Sequence, residues 1–95
     1  MGLRKSIGNA ILGLRGTKGK TQEEVANDSG ISRTDFAKIE KGITTPSIST
    51  LLNIAQGLEV SLIELLEKVD YEGIRNYTNP ENIIEKTLKV EIAPL

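Results

Sequence analysis

The stretch TQEEVANDSGISRTDFAKIE, Thr21–Glu40, decides how the rest of the chain is read. It holds two short helical patterns separated by a glycine-containing turn. Thr21 is followed three residues later by Glu24, a pairing in which each residue can satisfy an orphan N–H at a helix start. Ser32 offers the same service to a second helix through its hydroxyl. Val25 and Ala26 supply an inner face for the first helix, and Phe36 and Ile39, three apart, for the second. Gly30 falls in the turn, where a left-handed backbone costs little without a Cβ. Ile31 follows it and is expected to plug the space between the helices.

Two helices joined by a turn of three or four residues make a helix-turn-helix unit. The second helix then turns Arg33, Thr34, Ala37 and Lys38 outward, toward a DNA groove. Before this pair, Ile7, Ala10, Ile11 and Leu14 recur at helical spacing and predict a first helix over about Ser6–Thr17. Ser6 or Asn9 is its expected cap. Gly8 and Gly13 weaken it in isolation by roughly 0.5–1 kcal/mol each, so it must be stabilised by docking. After the pair, Gly42 is placed to end the second helix and Pro46 marks a loop. Ser47 then caps a helix from Ile48 to Gly57, with Leu51, Leu52, Ile54, Ala55 and Leu58 as its apolar stripe and Gly57 as its terminator. Ser61 and Glu64 open a fifth helix, Leu62–Val69. That helix is apolar around most of its circumference, so part of it is a candidate dimer surface. The expected core is Ile11, Leu14, Val25, Ala26, Ile31, Phe36, Ile39, Leu51, Ile54, Ala55, Leu58 and Leu65.

Residues 1–69 thus form one compact all-α domain of five helices, followed by a C-terminal extension, residues 70–95. In the extension, Asn79-Pro80 reads as a helix start. Leu88, Val90 and Ile92 alternate with Lys89 and Glu91, the period of a strand. The simplest partner for a lone strand is its own copy across a two-fold axis. A disordered or purely helical tail is the competing reading.

With no cysteine and no histidine in the chain, disulfides and thiolate or imidazole metal sites are excluded, and little catalytic chemistry remains. Gly19-Lys20-Thr21 resembles the end of a phosphate-binding loop but lacks the preceding glycine frame and strand. No cofactor and no enzymatic activity are expected. No apolar run is long enough for a membrane span, and the cytoplasm is the expected compartment. The net charge of −1 is unevenly spread. Residues 1–45 carry eight basic and five acidic side chains, a balance of +3, and residues 46–95 carry four and eight, a balance of −4. Such segregation suits a chain with one face on phosphate.

From Ile7 to Leu66 the sequence resembles the Cro/C1-type helix-turn-helix family, also called the xenobiotic-response-element family. The resemblance is carried by Thr21-Gln22-Glu23-Glu24-Val25-Ala26, by Gly30-Ile31-Ser32 in the turn, by Ile39-Glu40-Lys41-Gly42 with Pro46 beyond it, and by Leu51-Leu52-Asn53-Ile54-Ala55. It implies double-stranded DNA as the partner. Arg33, Thr34, Ala37 and Lys38 would meet base edges in the major groove. Gln22, Ser32, Lys41, Thr44 and Thr45 would hold the DNA backbone. Arg15 and Glu40 would form an internal ion pair between the first and third helices. Small controller proteins of restriction–modification systems are the nearest subtype, beside phage-type repressors. Asp35 departs from the controller pattern, which often has an aromatic residue there. A homodimer reading a palindromic operator is the leading expectation. The second is an antitoxin-like module that binds a toxin or other protein partner as well as DNA.

Overall fold

The computed structural model describes residues 2–70, and the expected helix and strand of the C-terminal extension lie outside the described residues. Five helices follow one another: α1 (Leu3–Lys18), α2 (Gln22–Ser29), α3 (Arg33–Glu40), α4 (Ile48–Gly57) and α5 (Leu62–Glu67). α2 packs on α3 and α4, α1 packs on α3 and α5, and α4 packs on α5. Their inner faces meet in one core around Phe36, Ile11, Ile54, Leu58, Leu65 and Val25, all fully buried. Every expected core residue is buried except Ile31, which is half-buried and packs against the cluster. Ile7, Ala10 and Val69 complete the core. Leu52, placed on the apolar stripe of α4 by spacing, is exposed.

Local chemistry sets most of the helix starts. The hydroxyls of Thr21, Ser32, Ser47 and Ser61 each accept from the backbone N–H three residues on. At Thr21 and Ser61 the capping box is complete, with Glu24 and Glu64 reaching back to the cap N–H. The Thr21 N–H, donating to the Glu24 carboxylate at 2.9 Å, and next the polar Thr21 side chain beside it hold that carboxyl below the usual carboxylate range. The helix ends share a second device. In α1, α2, α3 and α4 the chain leaves through a left-handed residue, with paired 6→1 and 5→2 bonds back to the last turn. For α3 these are Ile43 N–H to Lys38 O at 2.9 Å and Gly42 N–H to Ile39 O at 3.0 Å. At α3 the left-handed position is Gly42, φ +77°.

Two boundaries differ from the sequence reading. α1 begins at Leu3 and not near Ser6, with Gly2 as a cap that contributes no side chain. Ser6 is buried inside the helix and Asn9 lies further along it. The early start comes from tertiary docking, because the first turn lies against the loop after α3. α5 stops at Glu67, although Val69 is still buried just beyond it. α4 ends at Gly57, as read from the sequence. The left-handed position after α4 is taken by Glu59, φ +61°. Gly57 is needed for packing, since a Cβ there would overlap the hydroxyl of Ser29 on α2.

The glycines of α1 likewise separate by environment. A Cβ on Gly8 would overlap the carbonyl oxygen of Glu40 and lie 2.8 Å from that of Ile39, both backbone atoms that cannot swing away. A Cβ on Gly13 meets nothing within 4 Å. Gly13→Ala should therefore stabilise the domain by about 0.5–1 kcal/mol through helix propensity. Gly8→Ala should destabilise it by about 1–3 kcal/mol by forcing α1 off α3. Urea denaturation of both variants checks the contrast, and a stabilised Gly8→Ala protein would refute the close approach.

Candidate nucleic-acid interface

α3 is amphipathic by spacing, so its inner face is fixed by Phe36 and Ile39 and its outer face is left to polar side chains. Arg33, Thr34 and Lys38 are exposed and Ala37 is half-exposed. One surface depression gathers all four, together with Gln22 from the start of α2 and Lys41 and Ile43 from the end of α3. A second depression joins it across Gln22 and Arg33 and is lined also by Arg15, Lys20 and Thr21. The two form a continuous strip along the outer side of α3 and the N-terminus of α2.

Beneath the strip lies Glu40, whose side chain is 5 % exposed. Its carboxylate accepts Arg15 Nε at 2.8 Å and Arg15 Nη2 at 3.0 Å, a two-pronged pairing. It also accepts Gln22 Nε2 at 2.8 Å. Arg15 Nη1 donates to the carbonyl of Lys20 at 3.1 Å. One carboxylate thus ties α1, α2 and α3 together at the back of the strip. The hydrogen bonds to Glu40 hold the Arg15 guanidinium even above its ordinary pKa, against the cost of its partial burial. Gln22 keeps a second amide hydrogen, and its own backbone N–H opens α2, where the helix dipole favours an anion.

Thr44 and Thr45 are set apart from this strip. They line a separate groove with Asp35, Ile39, Pro46, Ser47 and Thr50. The Ser32 hydroxyl is engaged as the cap of α3, accepting from Asp35 N–H at 3.0 Å. Asp35 faces the threonine groove, so its carboxylate does not line the depression of Arg33 and Lys38. Ile43 is the residue that sequence reasoning missed. It is 56 % exposed and borders the depression. Its position just past the end of α3, next to Gly42, is the signal that could have found it.

Lys20 serves the scaffold. Its ammonium donates to the carbonyl of Gly57 at 2.9 Å and pairs with Glu59 at 3.2 Å and Asp28 at 3.4 Å. Desolvation works against its charge, but the two carboxylates prevail and raise its pKa.

Comparison with known proteins decides what this arrangement belongs to. The helix-turn-helix family HTH_3 matches residues 13–65. The chain belongs to this Cro/C1-type helix-turn-helix family. It is a DNA-binding transcriptional regulator and not an enzyme. The uncharacterized HTH-type transcriptional regulator y4dJ of Sinorhizobium fredii is 41 % identical over 70 residues, 74 % of this chain and 91 % of that protein. The crystal structure of the restriction-modification controller protein C.AhdI from Aeromonas hydrophila superposes with a TM-score of 0.63 at 31 % identity, covering 65 % of this chain and 94 % of that one. The antitoxin PezA of Streptococcus pneumoniae is 35 % identical over 86 residues, 90 % of this chain but only 51 % of that protein. The match to this chain thus spans nearly all of y4dJ but about half the length of PezA.

Proposed function

We propose that the chain is a sequence-specific regulator that acts in the cytoplasm as a homodimer and represses or autoregulates by occupying a palindromic operator. The observation that carries this is the gathering of Arg33, Thr34, Ala37 and Lys38 with Gln22 and Lys41 in one depression on α3. α3 enters the major groove. Arg33 or Lys38 donates to guanine O6 and N7, and Thr34 bonds a base or packs its methyl on thymine. Gln22 and Lys41 hold phosphates on either side. Ser32, Thr44 and Thr45 are weaker candidates for backbone contacts, one committed as a cap and two on the neighbouring groove. One such helix reads too few bases for genomic specificity, and two copies about 34–36 Å apart read a palindrome.

Binding to a short duplex from the gene's own upstream region, titrated against salt and competitor DNA, tests the reading. A complex of two protomers per duplex that survives competitor is expected. Arg33→Ala should weaken it by about 1–3 kcal/mol and relax discrimination at one operator position. Equal binding to a scrambled duplex would remove the operator hypothesis.

A second reading, an antitoxin that also holds a protein partner, is favoured by the similarity to PezA over nine-tenths of this chain. Its discriminating result is a partner, encoded beside this gene, that copurifies with the protein and whose toxicity it suppresses.

A further inference from the structure

The depression on α3 ends at Lys41 and Ile43, where the first turn of α1 lies against it. Arg4 Nη1 donates to the carbonyl of Ile43 at 3.1 Å, and Lys5 Nζ to the carbonyl of Lys41 at 3.5 Å. The backbones are also close, since a Cβ on Gly42 would stand 2.8 Å from Lys5 Cα and 3.1 Å from its amide nitrogen. Lys41 and Ile43 line the depression that holds Arg33 and Lys38, and Arg4 and Lys5, which do not line it themselves, are bonded to the backbone of those two residues. Both Arg4 and Lys5 are exposed. A guanidinium has five N–H donors and an ammonium three, so each cation keeps donors beyond the one given to the loop.

The charged residues lining the depression on α3 are all basic, whereas Glu23 lines the second depression beside Gln22. No aspartate or glutamate occurs before Glu23. Glu40 is covered and bonded by Arg15 and Gln22, and Asp35 lines the threonine groove. Neither Arg4 nor Lys5 has a carboxylate partner among the described residues.

We infer that Arg4 and Lys5 are a further DNA-backbone contact, a basic clamp that continues the α3 surface past Lys41 onto phosphates beyond those held by Gln22. The inference rests on the DNA-binding reading above and names residues outside its site. Side chains from α1 carry charge to a corner where the loop after α3 offers the apolar Ile43. The loop carbonyls fix where those cations stand, so the clamp is built before DNA arrives and gives up little side-chain entropy on binding.

The test combines the double variant R4Q/K5Q with operator duplexes carrying single neutral methylphosphonates along each strand. Glutamine removes the charge and keeps an amide donor. The wild-type protein should bind about 3–10-fold more weakly when one or two particular phosphates are neutralised, and R4Q/K5Q should be indifferent to those same phosphates. The salt dependence of R4Q/K5Q should be shallower by about 0.9 for each phosphate that the variant no longer neutralises, with its preference for operator over scrambled duplex unchanged. R4K/K5R, which keeps both charges, should retain the wild-type slope and guards against a folding defect in the first variant. The same sensitive phosphates and the same slope in R4Q/K5Q would overturn the inference. So would a uniform fall in affinity without a change of slope, the mark of a residue that only positions the loop. Failure of the DNA reading itself looks different, because the wild-type protein would then not prefer its operator and Arg33→Ala would be silent.

Discussion

Glu40→Ala should destabilise the domain by roughly 2–4 kcal/mol and weaken DNA binding beyond the loss of stability. Removing one partner of a buried pair leaves the other desolvated and uncompensated, and that is where the cost arises. Arg15 retains 19 % of its side-chain exposure, so water recovers part of the loss, which places the effect toward the lower end for such pairs. Gln22 is deprived of its acceptor in the same step, and with it the bond that ties the start of α2 to α3, which on the proposed reading aims Gln22 at DNA. A double substitution Arg15→Met/Glu40→Leu should be more stable than either single variant, since it removes both charges together. Denaturant unfolding of the four proteins measures the coupling. Additive effects would show that the network contributes nothing as a unit. Binding of the double variant to operator DNA separates the two consequences. If its stability recovers while its affinity stays low, Gln22 needs Glu40 for orientation.

Phe36→Ala should cost about 3–5 kcal/mol. Phe36 is fully buried and is the largest side chain in the core, and it lies on the helix that carries Arg33, Thr34, Ala37 and Lys38. A domain of this size has only about 5–15 kcal/mol of stability in total. Each kcal/mol shifts the melting midpoint by about 4–8 °C at this length, so a fall of more than about 10 °C is expected. Circular dichroism melting measures it. A shift of only a few degrees would mean that the cavity collapses or that Phe36 is not central. Phe36→Leu, which removes less volume, should lie between the variant and the wild type.

Features governed by local chemistry are legible in the sequence. The capping hydroxyls at Thr21, Ser32, Ser47 and Ser61 act on N–H groups three residues away, so a short window contains the whole interaction. The core of α2, α3 and α4 follows from spacing for the same reason. The misreadings arise where distant segments meet. α1 starts at Leu3 because its first turn docks on Gly42, and nothing near Leu3 announces that. Gly57 ends α4 as read, but its need to be small against Ser29 is not legible, because a glycine that lets helices approach and one that turns the chain are alike in sequence. Glu59 takes the left-handed position after α4, and Lys20, far away in the chain, pairs with its carboxylate. For the candidate site, the outward positions of α3 follow from one helix face, and Gln22 joins them across the turn. The division of Lys41 and Ile43 from Thr44 and Thr45 depends on how Gly42 and Pro46 redirect the chain, which spacing does not encode.

The anchoring of α3 has an evolutionary consequence. Phe36, Ile39, Glu40 and the carbonyls between Lys38 and Ile43 mount the helix on the body, and none of these groups belongs to Arg33, Thr34, Ala37 or the side chain of Lys38. Substitutions at those four outward positions leave the mount intact. On the proposed reading, operator preference can therefore drift with little penalty in stability, so that what is read can diverge while the frame is inherited.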